Sequence, residues 1–300
     1  MNNKICVEII NDGIELYIPN KKGKAESYIK YCLFHLIKPF DGGVYQNFDL
    51  WRLYGAYTYE MQNNEFVQTL SYPVVSAGEW ECALCLRGTR DFHGGIHGYE
   101  HHKEVFAEAD GKPIDLSTRQ KIWVNSFRFV QKSVIVKQET LDEPVCDHIK
   151  DYLFSDGGVT IKQDIEWLQP MEVAFAYLAM FPIRRTHDDT DTGEVISDRV
   201  MTNLSDEVYD IEKVGHETAI SPIKNAKSGV THAKIWGEKS GFTAELSILA
   251  NSVDSTNIFF VQNNESYNKL YYSCAGNGTP YPVATGDKWH FESRYELYRV

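Results

Sequence analysis

The stretch Val159-Thr-Ile-Lys-Gln-Asp-Ile-Glu-Trp167 decides the fold class. Val159, Ile161, Ile165 and Trp167 alternate with Thr160, Lys162, Asp164 and Glu166. A period of two residues is the signature of a strand with one buried face. Gly157-Gly158 in front of it reads as a turn. Working outward, Ile122 to Thr140 carries two β-rich runs around Gln131-Lys132. Val173 to Ile183 is almost wholly apolar. Its Pro182 and the strand before it favour a strand buried on both faces over a helix. Towards the C-terminus, Thr243 to Ala250, Asn257 to Gln262, Lys269 to Cys274 and Trp289 to Tyr298 read as strands. Gly276-Asn277-Gly278 and Gly286-Asp287 are expected to punctuate them. Helical signals are few: Glu143 to Tyr152 fits a short helix, and Ser205 to Val214 fits a helix or a strand. Arg184 to Glu194 and Lys224 to Gly229 read as loops. The expectation is an all-β chain, a β-sandwich or jelly-roll-type scaffold with few short helices, forming one large domain over residues 1–300.

Composition narrows the function. The net charge of -12 disfavours nucleic acid, whose phosphates an acidic surface repels. It also means that an acidic substrate would need a local basic site. Aromatic residues make up 13% of the 300 residues, which suits cross-strand packing and, equally, stacking on sugar rings. Met1 to Val7 lacks the pattern of a signal peptide, and no apolar run is long enough for a membrane span, so synthesis in a cytoplasm is expected, with release or virion association open. Cys6, Cys32, Cys82, Cys85, Cys146 and Cys274 have no framework spacing and read as reduced thiols.

The densest chemical cluster is Arg90-Asp-Phe-His-Gly-Gly-Ile-His-Gly-Tyr-Glu-His-His102. Four of the ten histidines fall within it, interleaved with three glycines. Glycines let a ligand approach the main chain, and imidazole titrates near neutral pH. His93, His97 and Glu100 are therefore candidate site residues, against the plainer reading of a hairpin with surface histidines. Zinc is not expected. Gly94-Gly95 breaks the helix that a His-x-x-x-His metal motif needs, and Cys82 and Cys85 would face opposite sides of a strand. Upstream, Glu79 and Glu81 in Gly78-Glu-Trp-Glu81 share a strand face, as a carboxylate pair or as ordinary solvated residues. His148, Lys150 and Tyr152 share parity. Arg184-Arg185 follows a buried run and offers a carboxylate clamp, with Arg184 the better placed.

The run from Gly78 to Glu100 resembles a pattern of phage and prophage tail or depolymerase proteins. There Gly-Glu-Trp-Glu precedes Asp-Phe-x-Gly-Gly-x-His-Gly-x-Glu, matched here by Asp91, Phe92, Gly94, Gly95, His97, Gly98 and Glu100. The segment Lys150 to Arg184 resembles β-sandwich polysaccharide lyases. The resemblance implies cleavage of an acidic, uronate-containing polysaccharide by β-elimination. No cofactor is expected, with a bound metal open but not favoured. Under it, Arg184 or Arg90 would neutralise the carboxylate, His97 or His93 would be the base, and Tyr152 or Tyr99 the acid. Glu79, Glu81, Arg90, Tyr99, Glu100, His148 and Lys150 would contact the substrate. The alternatives are a non-catalytic carbohydrate- or receptor-binding module, a glycoside hydrolase using Glu79, Glu81 or Glu100, and a sugar epimerase. Assembly with further copies of the chain is open.

Overall fold

In chain order the strands are β1 (Ile5–Ile10), β2 (Gly13–Pro19), β3 (Ser27–Lys38), β4 (Gln46–Gln62), β5 (Glu65–Gln68), β6 (Ala83–Leu86), β7 (Phe92–His93), β8 (Gly98–Ala109), β9 (Lys112–Ile114), β10 (Gln120–Val124), β11 (Phe127–Val136), β12 (Pro144–Ser155), β13 (Gly158–Trp167), β14 (Met171–Arg184), β15 (Arg199–Thr202), β16 (Ser205–Asp210), β17 (His232–Trp236), β18 (Phe242–Asn251), β19 (Ile258–Asn263), β20 (Tyr267–Val283) and β21 (Lys288–Arg299). They come from a computed structural model that describes residues 4–300 except 24–25, 44, 71–72, 76–79, 156, 186–194, 212–229, 256 and 264–266. Glu79, the predicted loop containing His187, and the predicted loop at 224–229 lie outside the described residues. The chain is all-β. A 3₁₀ turn at Gly95–His97 is the helical element delimited among the described residues.

Sixteen strands form one sheet, in the order β10-β1-β2-β3-β4-β8-β11-β12-β13-β21-β18-β17-β15-β16, with β5 paired to β4 and β9 to β8 off this path. Five form a second sheet, β19-β20-β14-β6-β7. The pairing is antiparallel apart from β4 and β8, which run parallel over Gln46, Phe48 and Asp49. Beyond that short seam the side chain of Gln131 on β11 takes over. Its Oε1 accepts from the Trp51 amide (2.6 Å) and its Nε2 donates to the Trp51 carbonyl (3.2 Å). One amide side chain thus replaces a ladder rung.

β13 matches its sequence reading. Val159, Ile161, Ile165 and Trp167 are buried while Asp164 and Glu166 are exposed. The core lies between the sheets, and Trp80 sits at its centre, fully buried. Its indole packs against Phe181 (5.0 Å between ring centres), Tyr295 (5.6 Å) and Tyr31 (6.0 Å), so it touches both sheets. Main-chain bonds hold it there: Met180 N donates to the Trp80 carbonyl, and so does the Tyr295 hydroxyl at 2.8 Å. Val75 bridges Ala56 of the large sheet to Ile183 of the small one.

Three expectations need correction. Glu143 to Tyr152 is the strand β12, not a helix. Its buried face carries His148 and Lys150 while Ile149 is exposed, so charge conceals the alternation. β11 continues through Gln131-Lys132. The chain turns instead at Asn125-Ser126, where both amides donate to Asp110 Oδ1. Gly276-Asn277-Gly278 lies within β20. Gly276 (φ 83°) sits where a side chain would collide with the Ala174 carbonyl, beside a register shift in β14. Such a glycine marks a bulge and not a strand end.

Gly98 is the turn point between the 3₁₀ turn and β8. Its φ of 95° and ψ of -167° are open to glycine almost alone, and a Cβ there would strike the Gln46 carbonyl. Gly98→Ala should therefore lower the unfolding free energy by about 2 kcal/mol or more, read by urea denaturation; a loss indistinguishable from zero would show that the β4–β8 seam can shift to accept it.

Candidate functional site

The residues singled out in the sequence separate into a sealed knot and a solvent-reaching strip. The knot is built by β8, β11 and β12, whose inward faces meet over the glycine loop. Glu100 is wholly buried. Its Oε2 accepts from the Gly95 amide at 2.8 Å. Its Oε1 accepts from Ser133 Oγ (2.5 Å), lies 3.1 Å from His148 Nδ1 and pairs with Lys150 Nζ at 3.0 Å. Burial alone would push this carboxyl up. The Lys150 charge and the donors from His148 and Ser133 outweigh it and hold the group well below the usual carboxylate range. His148 is pushed down by burial, against the pull of Glu100, so the knot balances one buried anion with one buried cation.

Glu81 lies in the same interior with the opposite outcome. Burial lifts its carboxyl to about 7, and the nearby Lys150 charge and the Tyr152 hydroxyl only partly offset this. Tyr152 donates to Glu81 Oε1 at 2.5 Å and is itself fully buried, its phenol held well above the ordinary range by burial and the neighbouring carboxylate. Parity on β12 correctly groups His148, Lys150 and Tyr152, but the shared face is the core. In this arrangement burial keeps Glu81, Glu100, His148, Lys150 and Tyr152 from direct contact with a polymer. Glu100 is the member that holds the glycine loop, through the Gly95 amide.

His93 is also buried. Its ring stands 5.5 Å from that of Tyr99, and burial pushes it down to about 4, so it is neutral at neutral pH. Tyr99 is buried with φ 57°, a conformation enforced by the tight loop. Arg90 is exposed and donates from Nη2 to the Gly43 carbonyl at 3.2 Å, which clips two loops together. Arg184 lies elsewhere. Its guanidinium stands over the Tyr267 ring at 5.4 Å. Through the pairs Ala176–Leu84 and Leu84–His93, it is eight residues along β14 from the cluster, about 25 Å of strand. The structure therefore does not bring His97, Tyr152 and Arg184 together.

His97 does reach solvent. It packs between Tyr45 (5.5 Å) and Phe92 (5.2 Å). Phe92 continues to Tyr177 (5.5 Å, 30° between planes), Tyr177 to Tyr271 (5.1 Å) and Tyr271 to Phe260 (4.9 Å, 7°). The result is an unbroken aromatic strip across the small sheet from β19 to β7, ending on an imidazole. Phe92, Tyr177 and Phe260 are half-buried, and Tyr45 is 43% exposed. Sequence reading missed the strip because its rings come from four distant segments. The one available signal was the aromatic content of segments already read as strands.

For metal, Cys82 and Cys85 offer little: Cys82 is sealed in the core with its thiol pushed up by burial. Among the described residues the ligand-type side chains that converge are His35, Asp49 and His102.

No family model matches the chain, and neither does any curated protein. Among solved structures it is similar to the galactosidase domain of an alpha-galactosidase–sucrose kinase, AgaSK, with a TM-score of 0.52 at 10% identity over 94% of this chain. The chain shares that fold. It spans 42% of that chain's length. An alpha-galactosidase from Lactobacillus brevis aligns at a TM-score of 0.47 and 8% identity, over 98% of this chain and 39% of that one. No helix among the described residues is long and apolar enough to cross a membrane.

Two predictions follow from the buried acids. Lys150→Met would leave the Glu100 anion uncompensated, so it should cost about 3–5 kcal/mol in chemical denaturation; an unchanged midpoint would mean that Glu100 is neutral in the fold. Glu81 is an acid raised in the folded state. Its stabilising contribution is complete below about 4.5 and is lost as pH rises through about 7. Glu81→Gln should remove that part of the pH dependence and gain most, relative to wild type, at pH 8; parallel stability–pH curves for the two proteins would refute the assignment.

Proposed function

We propose that this chain is carbohydrate-active, that it lays a sugar chain along the strip from Phe260 to Phe92, and that His97 at the end of the strip is its proton-transfer group. The carrying observation is the continuity of the strip. Phe92, Tyr177 and Phe260 are half-buried around a buried Tyr271, and flat, partly exposed rings suit pyranose rings, which present C–H groups to an aromatic face. The fold held in common with part of a galactosidase agrees with a sugar ligand, although it supplies no residue.

The reaction class follows from what can converge. β-Elimination of a uronate polysaccharide needs a cation on the carboxylate, a base at the adjacent C–H and an acid at the leaving oxygen. Arg184 and Tyr152 do not reach His97, and Arg90 and Tyr99 are engaged in holding the loop. Hydrolysis by Glu81 and Glu100 needs two solvent-reaching carboxylates, and both are sealed. Proton exchange on a sugar, as in epimerisation, asks for fewer groups and fits an imidazole presented at the end of a stacking surface. The strip by itself also favours a second reading, a sugar-binding module without turnover.

A panel of neutral and acidic oligosaccharides separates these readings. Tyr177→Ala should weaken binding about tenfold or more, equivalent to about 1.4 kcal/mol. His97→Ala should leave binding and lower turnover about 10²- to 10⁴-fold. Anomer or epimer exchange followed by NMR supports the enzyme; binding without exchange supports the module. Release of an unsaturated uronate, seen by its ultraviolet absorbance, would restore the lyase. Sugar affinity indifferent to Tyr177 would remove the strip from the account.

A further inference from the structure

We propose that His35, Asp49 and His102 form a binding site for a divalent transition-metal ion of the zinc class. The three residues come from three adjacent strands, β3, β4 and β8, and the site straddles the parallel seam. His35 Nε2 lies 2.7 Å from Asp49 Oδ1, and His102 Nδ1 lies 3.0 Å from the same oxygen. One ligand atom from each residue lies within 4.8 Å of the others. A zinc ion sits about 2.0–2.2 Å from imidazole nitrogen and carboxylate oxygen, which in a tetrahedral site separates neighbouring ligand atoms by about 3.4 Å. The observed 2.7 and 3.0 Å are shorter than that, and His102 Nδ1 also lies 3.0 Å from the Asp49 main-chain carbonyl, so an ion enters by side-chain rotations that open the cluster and release that carbonyl contact.

Ligand chemistry narrows the ion. Two imidazoles and one carboxylate suit zinc, iron(II), copper and nickel, whereas calcium and magnesium call for all-oxygen sets. The surroundings fix the ligands. The His35 ring stacks on Trp51 at 5.4 Å with 9° between planes and meets the His102 ring edge-on at 5.0 Å. Asp49 is held in register by the β4–β8 pairing with His101. The three side chains are 24%, 38% and 23% exposed, so solvent reaches the cluster. Three protein ligands with an open position is the arrangement of a site that binds a water or a ligand group, not of a closed structural one. The site does not depend on the sugar reading. Asp49 is four residues from Tyr45, which stands just before β4 and against His97.

The competing account is a plain hydrogen-bonded His–Asp–His group. The test is titration of the metal-free full chain with Zn²⁺ by calorimetry, and with Co²⁺ by visible absorption. The expected result is one ion per chain, with cobalt bands of nitrogen and oxygen coordination. His35→Gln and Asp49→Asn, both close in volume to the residues they replace, should each weaken uptake at least about 100-fold while circular dichroism stays unchanged. His290→Ala, which removes a second surface His–Asp pair (2.7 Å to Asp164), should leave uptake intact. Absence of stoichiometric uptake would overturn the proposal. So would uptake that survives the double variant His35→Gln/Asp49→Asn, or that is lost on His187→Ala instead. Sugar binding measured after chelation reports on the strip alone, so failure of either proposal is read separately.

Discussion

Glu100 is the residue on which the arrangement of this molecule turns. A carboxylate with no exposure must find donors for both oxygens, and it finds them on three elements: the amide of Gly95, the hydroxyl of Ser133, and the His148–Lys150 pair. Each donor is committed to one geometry by that requirement. The loop from Gly94 to Gly98 must fold back so that Gly95 N points inward, and this tight reversal sets the positive φ values there. The same reversal turns His93 into the core and leaves His97 outside. Charge burial in the interior thus determines which histidine meets solvent. Such a knot contributes little net stability compared with apolar packing, but breaking it is costly, so it specifies one conformation more than it strengthens the fold.

Two glutamates in one interior reach opposite states for identifiable reasons. Glu100 has a cation and several donors. Glu81 has one phenol hydroxyl and feels the Lys150 charge without pairing directly with it, so desolvation wins. In a polar, functional setting such a split often marks an acid–base pair. Here both groups are enclosed by Trp80, Tyr152 and the sheet faces, and the split reflects unequal solvation of two structural groups.

The strands were legible wherever apolar side chains marked the buried face, as in β13, β14, β18 and β21. They were obscure wherever charge did so. β12 carries Lys150 inward and Ile149 outward, so no reading of hydropathy alone assigns its faces correctly. Gly78-Glu-Trp-Glu81 looks like a half-solvated strand, yet Trp80 is the centre of the core and Glu81 is sealed beside it. The glycine–histidine cluster was legible as a special loop because only glycine tolerates its backbone. Its partners were not: Ser133, the aromatic strip and the His35–Asp49 pair lie far off in sequence, and strand order rather than local pattern brings them together.

The side chain of Gln131 has a wider consequence. Where β4 leaves β8, hydrogen bonding across the large sheet depends on one amide that both accepts from and donates to Trp51. The sheet is in effect two slabs joined by the short β4–β8 seam and this one amide, with β1–β5 and β10 on one side and the rest on the other. Cooperative units of a fold divide where ladder bonds are fewest. The slab of β1–β5 and β10 is therefore the natural candidate for a cooperative unit that opens apart from the rest of the sheet.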